Sequence, residues 1–278
     1  ETELGARAEL WRKQHPDGQA CKLCPSCMAL PCVAKLQKIS NHPELLLEDL
    51  RWPDAKRADV AAFARLVYPP AELAARGGST ERSQRFADNM RADVCGKLGL
   101  LEALLNKFKR TRSKALVFSL SVQMLDILEA FVISRGYSFS RLDGATSQRE
   151  RQALVDEFNR DATKEVFLIS TRAGGVGLNL QSASRVVIFD VNWNPSYDLQ
   201  AQDRAYRIGQ QKRVKVYRFM SQGTIEELTY LRQLYKQQLR DAGLHGSAAL
   251  DGKARRFDAV KGDAEAKGDL FGIENMLR

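Results

Sequence analysis

Residues 165–218 read EVFLISTRAGGVGLNLQSASRVVIFDVNWNPSYDLQAQDRAYRIGQQKRVKVYR. Within them, Val166–Ser170 and Val186–Asp190 are short, apolar, largely β-branched or aromatic runs with no polar alternation. Strands of this kind are covered on both faces, the condition of a parallel sheet flanked by helices. A glycine-rich turn, Ala173-Gly174-Gly175-Val176-Gly177, separates them, and Asn194-Pro195-Ser196 after the second is a helix-start signal. A parallel sheet needs crossover connections, so the rest of the chain has to supply alternating strands and helices.

It does so from Cys95 onward. Lys97–Arg110 is an amphipathic helix with Leu98, Leu101, Leu104, Leu105 and Phe108 on one side. Lys114–Ser119 reads as a buried strand, Val122–Arg135 as a helix closed by Gly136, and Tyr137–Leu142 as a strand. Asp143-Gly144-Ala145-Thr146 is a turn, and Ser147 with Glu150 forms a capping box for a helix to Phe158. Val214–Phe219 is a further strand, and Thr224 with Glu227 caps a long helix. Elements in this order predict an α/β doubly wound parallel sheet.

The spacing in the central stretch suggests chemistry. A helix after Asn194-Pro195 is expected to carry Gln200, Arg204 and Arg207, the two arginines sharing a face. Two guanidiniums side by side grip a multivalent anion, and a glycine-rich turn after a parallel strand brings backbone N–H groups close to a phosphate. Each motif alone also fits an ordinary surface helix or βα turn.

Together, STRAGGVGLNL, DVNWNP and QAQDRAYRIGQQKRVKVYR resemble the second motor lobe of the SWI/SNF-type ATPases, superfamily-two helicase-like enzymes. LVFS, RLDGATSQRERQALVDEFN and, further upstream, KLQKISNHPELL are similar to other blocks of that family in the same order. The resemblance departs at Tyr206, where His is usual, and at Ser40, where Cys is common. RRFDAVKG and GDLFGIENML near the C-terminus resemble the excision-repair branch, the Cockayne-syndrome-B-like proteins.

This resemblance implies a RecA-like helicase C-terminal lobe and an ATP-driven, Mg2+-dependent motor acting on double-stranded DNA, with ATP between two lobes. Arg204 and Arg207 would be catalytic arginine fingers. Gly175, Gly177 and Gln200 would line the nucleotide site. Thr171, Arg172, Trp193, Asn194, Asp143, Gly144 and Thr146 would face DNA. Core packing is the rival for Trp193, and a strand-end turn the rival for Asp143–Thr146. The first lobe would bring the phosphate loop and most of the magnesium ligation, since neither G-x-x-x-x-G-K-[ST] nor DE-x-H occurs in this chain. The expected partners are that first lobe, DNA and a protein docking on the C-terminal tail; the expected location is the nucleus. A non-catalytic DNA-binding scaffold is the alternative.

Composition agrees. The 278 residues carry a net charge of +9, which favours a polyanionic partner. No apolar run reaches the roughly 18 residues of a membrane span. Glu1 stands where an initiator methionine would, so the chain reads as part of a longer protein. Five cysteines and no export signal argue for a reducing compartment. Cys21, Cys24, Cys27 and Cys32, with His42 as an alternative fourth ligand, have zinc-like spacing, but the cluster is compressed. Reduced thiols in an irregular loop are the preferred reading. Met28–Ser40 and Asp54–Val67 read as helices, Val33, Leu36 and Ile39 giving the first its apolar spacing. The expected organisation is a lead-in over 1–94, the lobe over 95–222, a helix over 223–242 and a tether with a docking tail over 243–278.

Overall fold

The computed structural model describes residues 25–47, 52–71, 94–173, 177–207 and 209–245, with side chains from residue 31 to residue 238. Five strands, β1 (Lys114–Ser119), β2 (Phe139–Leu142), β3 (Val166–Ser170), β4 (Ala183–Ile188) and β5 (Lys215–Arg218), form one sheet in the order β2-β3-β1-β4-β5. Every pairing is parallel, as the unalternating apolar runs predict. The helices are α1 (Pro25–Asn41), α2 (Asp54–Val67), α3 (Gly96–Arg110), α4 (Val122–Ser134), α5 (Gln148–Arg160), α6 (Pro195–Gln202) and α7 (Ile225–His245).

Both faces of the sheet are buried. Ala115, Val117, Val166, Leu168 and Val187 point to a core shared with α3 and α4. Leu116, Phe118, Phe167, Ile169 and Val186 point the other way, to a core with Val155 and Phe158 of α5 and with Ala201 of α6. Successive residues alternate between the two cores because strand side chains point to opposite faces, so the strands must be apolar throughout. In α3, Leu98, Leu101, Leu105 and Phe108 are buried and Leu104 is partly buried, as its periodicity predicts.

Caps fall close to expectation. Ser147 Oγ accepts from Glu150 N, and the Glu150 carboxylate accepts from Ser147 N, the predicted reciprocal box. Gly136 follows α4 with a positive φ of 68°. At α7 the pattern differs: Thr224 Oγ1 accepts from Glu226 N, and the Glu227 carboxylate accepts from Gly223 N rather than from Thr224. The segment around Cys32 is helical, not an irregular loop, because α1 already begins at Pro25. On α1, Val33 is buried, but Leu36 and Ile39 are 42% and 43% exposed, so the expected apolar stripe is only partly covered. Asn41-His42-Pro43 ends α1: Pro43 starts a short 3-10 turn, and buried His42 accepts from Glu44 N at its Nδ1.

The end of α1 is bonded into the sheet domain. Lys97 Nζ donates to Asn41 Oδ1 at 2.8 Å, to Phe189 O at 3.1 Å and to Glu226 Oε1 at 2.5 Å. Ser221 Oγ donates to Ser40 O, and Cys95 Sγ to Asn41 O. One buried ammonium therefore joins α1, the end of β4 and the start of α7.

Candidate functional site

In a parallel sheet the carboxyl ends of all strands lie at one end, where α/β proteins bind ligands beside a change in winding direction. Here the chain leaves β1 over the α4 face towards β2, and later crosses from β3 to β4 on the opposite face, so β1 marks that change. Asp143, Thr171, Arg172 and Asn192–Asn194 follow the carboxyl ends of β2, β3 and β4. The structure thus places the residues expected to face nucleic acid at one end of the sheet.

Arg172 and Asn194 are exposed, Trp193 is half-buried, and Thr171 is 4% exposed, its Oγ1 unbonded among the described residues. Thr171 N donates to Ser119 O at 2.9 Å, which holds its backbone beside the end of β1. Asp143 accepts from Arg141 Nη2 at 2.8 Å and from Ala145 N at 2.9 Å, while its own N–H donates to Thr146 Oγ1. Although partial burial opposes ionisation, these donors hold its carboxyl below the usual range. The Asp143 side chain and Thr146 hydroxyl thus build the strand-end turn, and Gly144 and Ala145 are its exposed members. Trp193 is stacked by Arg232 of α7, the guanidinium carbon 4.1 Å from the ring centre.

The glycine turn and the arginines meet, but not as drawn from the sequence. Gly175 lies outside the described residues. Gly177 has a φ of +39°, a left-handed geometry that explains glycine there. The helix expected to carry both arginines stops at Gln202, so Arg204 and Arg207 stand on the following turn. Leu180 N donates to Arg204 O at 3.1 Å, and Ala205 is fully buried. Docking this turn onto 177–181 overrides helical propagation. Arg207 Nη1 donates to Gly177 O at 3.1 Å and its Nε to Asp203 O at 3.2 Å. Arg204 is 7% exposed whereas Tyr206, between the arginines, is 74% exposed. Burial, and secondarily the neighbouring Arg207 charge, lower the Arg204 guanidinium's hold on its proton. Gln200 is exposed on α6.

Several polar residues escaped the sequence reading. Asp190, fully buried beyond β4, accepts from Leu120 N at 2.9 Å and from Ser119 Oγ at 3.0 Å. Burial pushes its carboxyl up to about 6. Buried Gln233 of α7 donates to Asn192 O at 2.5 Å and to Asp198 Oδ2 at 2.6 Å, fixing the loop that carries Trp193. Lys97 was detectable: it lies four residues before Leu101 on the apolar side of α3, where a charged residue needs a buried partner.

Of the cysteine set, Cys21 and Cys24 lie outside the described residues, as does the Cys27 side chain; Cys32 is an exposed thiol. His42 cannot offer its Nδ1 to a metal while it caps the turn at Glu44.

The model of the helicase conserved C-terminal domain matches residues 96–209. The Arabidopsis thaliana protein Switch 2 is 48% identical over 270 residues, 97% of this chain and 31% of its own length. The Mus musculus DNA excision repair protein ERCC-6-like 2 is 47% identical over 257 residues, 90% of this chain and 16% of its own. The chain thus spans a third or less of these relatives. Among solved structures, the C-terminal part of the Fun30 ATPase domain superposes with a TM-score of 0.56 at 28% identity, covering 80% of each chain.

Proposed function

We propose, from the premise that this chain belongs to the SWI/SNF-type helicase-like family as its C-terminal motor lobe, that it completes a DNA-dependent ATPase. The full protein translocates on double-stranded DNA and remodels chromatin or DNA-bound protein in repair or transcription, in the nucleus. Arg204 and Arg207 act on the transferring phosphoryl group, with Gly175, Gly177 and Gln200 beside the nucleotide. The first RecA-like lobe supplies the phosphate loop and magnesium ligands, so this chain alone turns over no ATP.

The observation that carries this reading is the docking of the 203–207 turn on the Gly177–Leu180 segment. It brings two like charges together, one of them desolvated. Such an arrangement is costly by itself and is relieved by an anion. Arg207 can reach that anion by exchanging the Gly177 carbonyl for a phosphoryl oxygen when the lobes close. A guanidinium in this role contributes roughly 10³–10⁵ in rate.

The test is Arg207→Ala in the full-length protein, followed by DNA-stimulated ATP turnover and by nucleotide binding. The expected outcome is a turnover loss of at least about a thousandfold with nucleotide affinity within severalfold. Unchanged turnover removes the finger assignment.

A further inference from the structure

The opposite end of the sheet carries a feature that the motor reading does not use. The amino ends of β1, β3, β4 and β5 are flanked by basic segments distant in sequence: FKRTRSK over 108–114, Lys164, and QKRVK over 211–215. They line one cavity of about 460 Å³, within the roughly 300–1,000 Å³ of small-molecule sites. Lys109, Arg112, Lys114, Lys164 and Lys212 contribute five cations, against one carboxylate, Glu165. Leu105, Phe108, Tyr137 and Val166 form the apolar part of the wall.

The cations are not equivalent. Lys109 pairs with Glu165 at 3.1 Å and Lys164 with Glu157 at 3.1 Å. Lys114 donates to the carbonyls of Phe158 and Asp161. Its hold on a proton is lowered by burial, an effect the Asp161 carboxylate opposes and the Lys212 charge reinforces. The side chains of Arg112 and Lys212 have no hydrogen bond or ion pair among the described residues, and both residues are exposed. Arg112 also has a φ of +46°, among the described residues the one non-glycine positive value. That region costs an L-residue about 1–2 kcal/mol, and here it sets an arginine at the mouth of a cationic cavity.

We propose that this cavity is an anion site for closely spaced phosphoryl groups, with Arg112 and Lys212 as its primary ligands and Lys114 behind them. Phosphoryl chemistry fits better than a single carboxylate. The lining carries four net positive charges from separate elements, arginine matches phosphoryl oxygens with a forked donor pair, and lysine serves as a point charge. The groups could come from a free polyphosphate or from the backbone of a nucleic acid passing this end of the lobe.

The probe is inorganic tripolyphosphate, titrated calorimetrically into the 278-residue chain and into the double variant R112Q/K212Q. R149Q/R160Q on α5 is the charge-matched control, and thermal melting verifies that all three are folded. Wild type and control bind saturably, while R112Q/K212Q binds at least about tenfold more weakly. Failure of wild type to saturate at low millimolar tripolyphosphate overturns the proposal. So does equal weakening in both variants, or tighter binding of a polyglutamate peptide than of tripolyphosphate. A short DNA duplex is the second arm. If it displaces tripolyphosphate and R112Q/K212Q lowers its log–log salt slope by about 2, the phosphoryl source is nucleic acid. If both bind together, it is a free polyphosphate. Introducing Arg207→Ala into both chains leaves the difference between wild type and R112Q/K212Q in place, so this site and the motor assignment fail separately.

Discussion

Lys97→Met probes the junction on which three parts of the lobe converge. The native pair is 2.5 Å long, with side chains 6% and 3% exposed. Removing the ammonium leaves the Glu226 carboxylate buried, with Ser221 N still donating to it at 2.9 Å, and strands Asn41 Oδ1 and Phe189 O. Breaking a buried pair from one side costs about 3–5 kcal/mol, because the partner's desolvation is no longer offset. For a domain of this size that is a fall in Tm of about 6–20 °C. Glu226→Gln should cost less, since the ammonium keeps Asn41 Oδ1 and Phe189 O as acceptors. The double variant Lys97→Met, Glu226→Leu should be less destabilised than the sum of Lys97→Met and Glu226→Leu alone, by at least about 1 kcal/mol. Urea unfolding followed by far-ultraviolet circular dichroism measures wild type and the four variants. A loss below about 1 kcal/mol for Lys97→Met, or strict additivity in the cycle, would refute the view that this ion pair ties α1, β4 and α7 together.

Three further outcomes are expected. The Asp190 carboxyl is raised to about 6, so its contribution is fully present below its unfolded value and is lost as pH rises through 6. Asp190→Asn should lose less stability than wild type between about pH 4 and 7, by at most about 3 kcal/mol, in parallel denaturation curves. Gly209 has a φ of +99°, and an added Cβ would sit 2.9 Å from Gln181 Oε1, so Gly209→Ala should cost about 1–2 kcal/mol on thermal melting and loosen the arginine turn. Gln233→Ala leaves Asp198 buried without its 2.6 Å donor, and should cost about 1–3 kcal/mol and quicken amide hydrogen exchange at Asn192–Asn194.

How much was legible depended on the range of the interactions. The bounds of β1 and β3 agree with the apolar runs Lys114–Ser119 and Val166–Ser170, because both-sided burial leaves a local mark. β4 did not: it begins at Ala183 and ends at Ile188, so Asp190 stands beyond the strand as a buried acceptor. β2 begins at Phe139, after Tyr137 has turned to donate its hydroxyl to Asn106. The motif residues were visible by type and spacing, yet the shared helix face for Arg204 and Arg207 was a local inference that a distant contact overruled. Trp193 is half-buried and stacked by Arg232, 39 residues later on α7, a contact that no local pattern announces.

The sequence by itself determined the alternation of strands and helices, the parallel sheet with two cores, the cap at Ser147, and the residue types of the motor motifs. These follow from periodicity, chirality and short-range hydrogen bonds, which act within a few residues. Tertiary structure alone decided where α6 ends, that Lys97 meets Glu226 across 129 residues, and that Arg112, Lys114 and Lys212 surround one cavity. Such pairings depend on where the backbone brings distant segments, and a buried charge leaves no trace of its partner in the residues beside it.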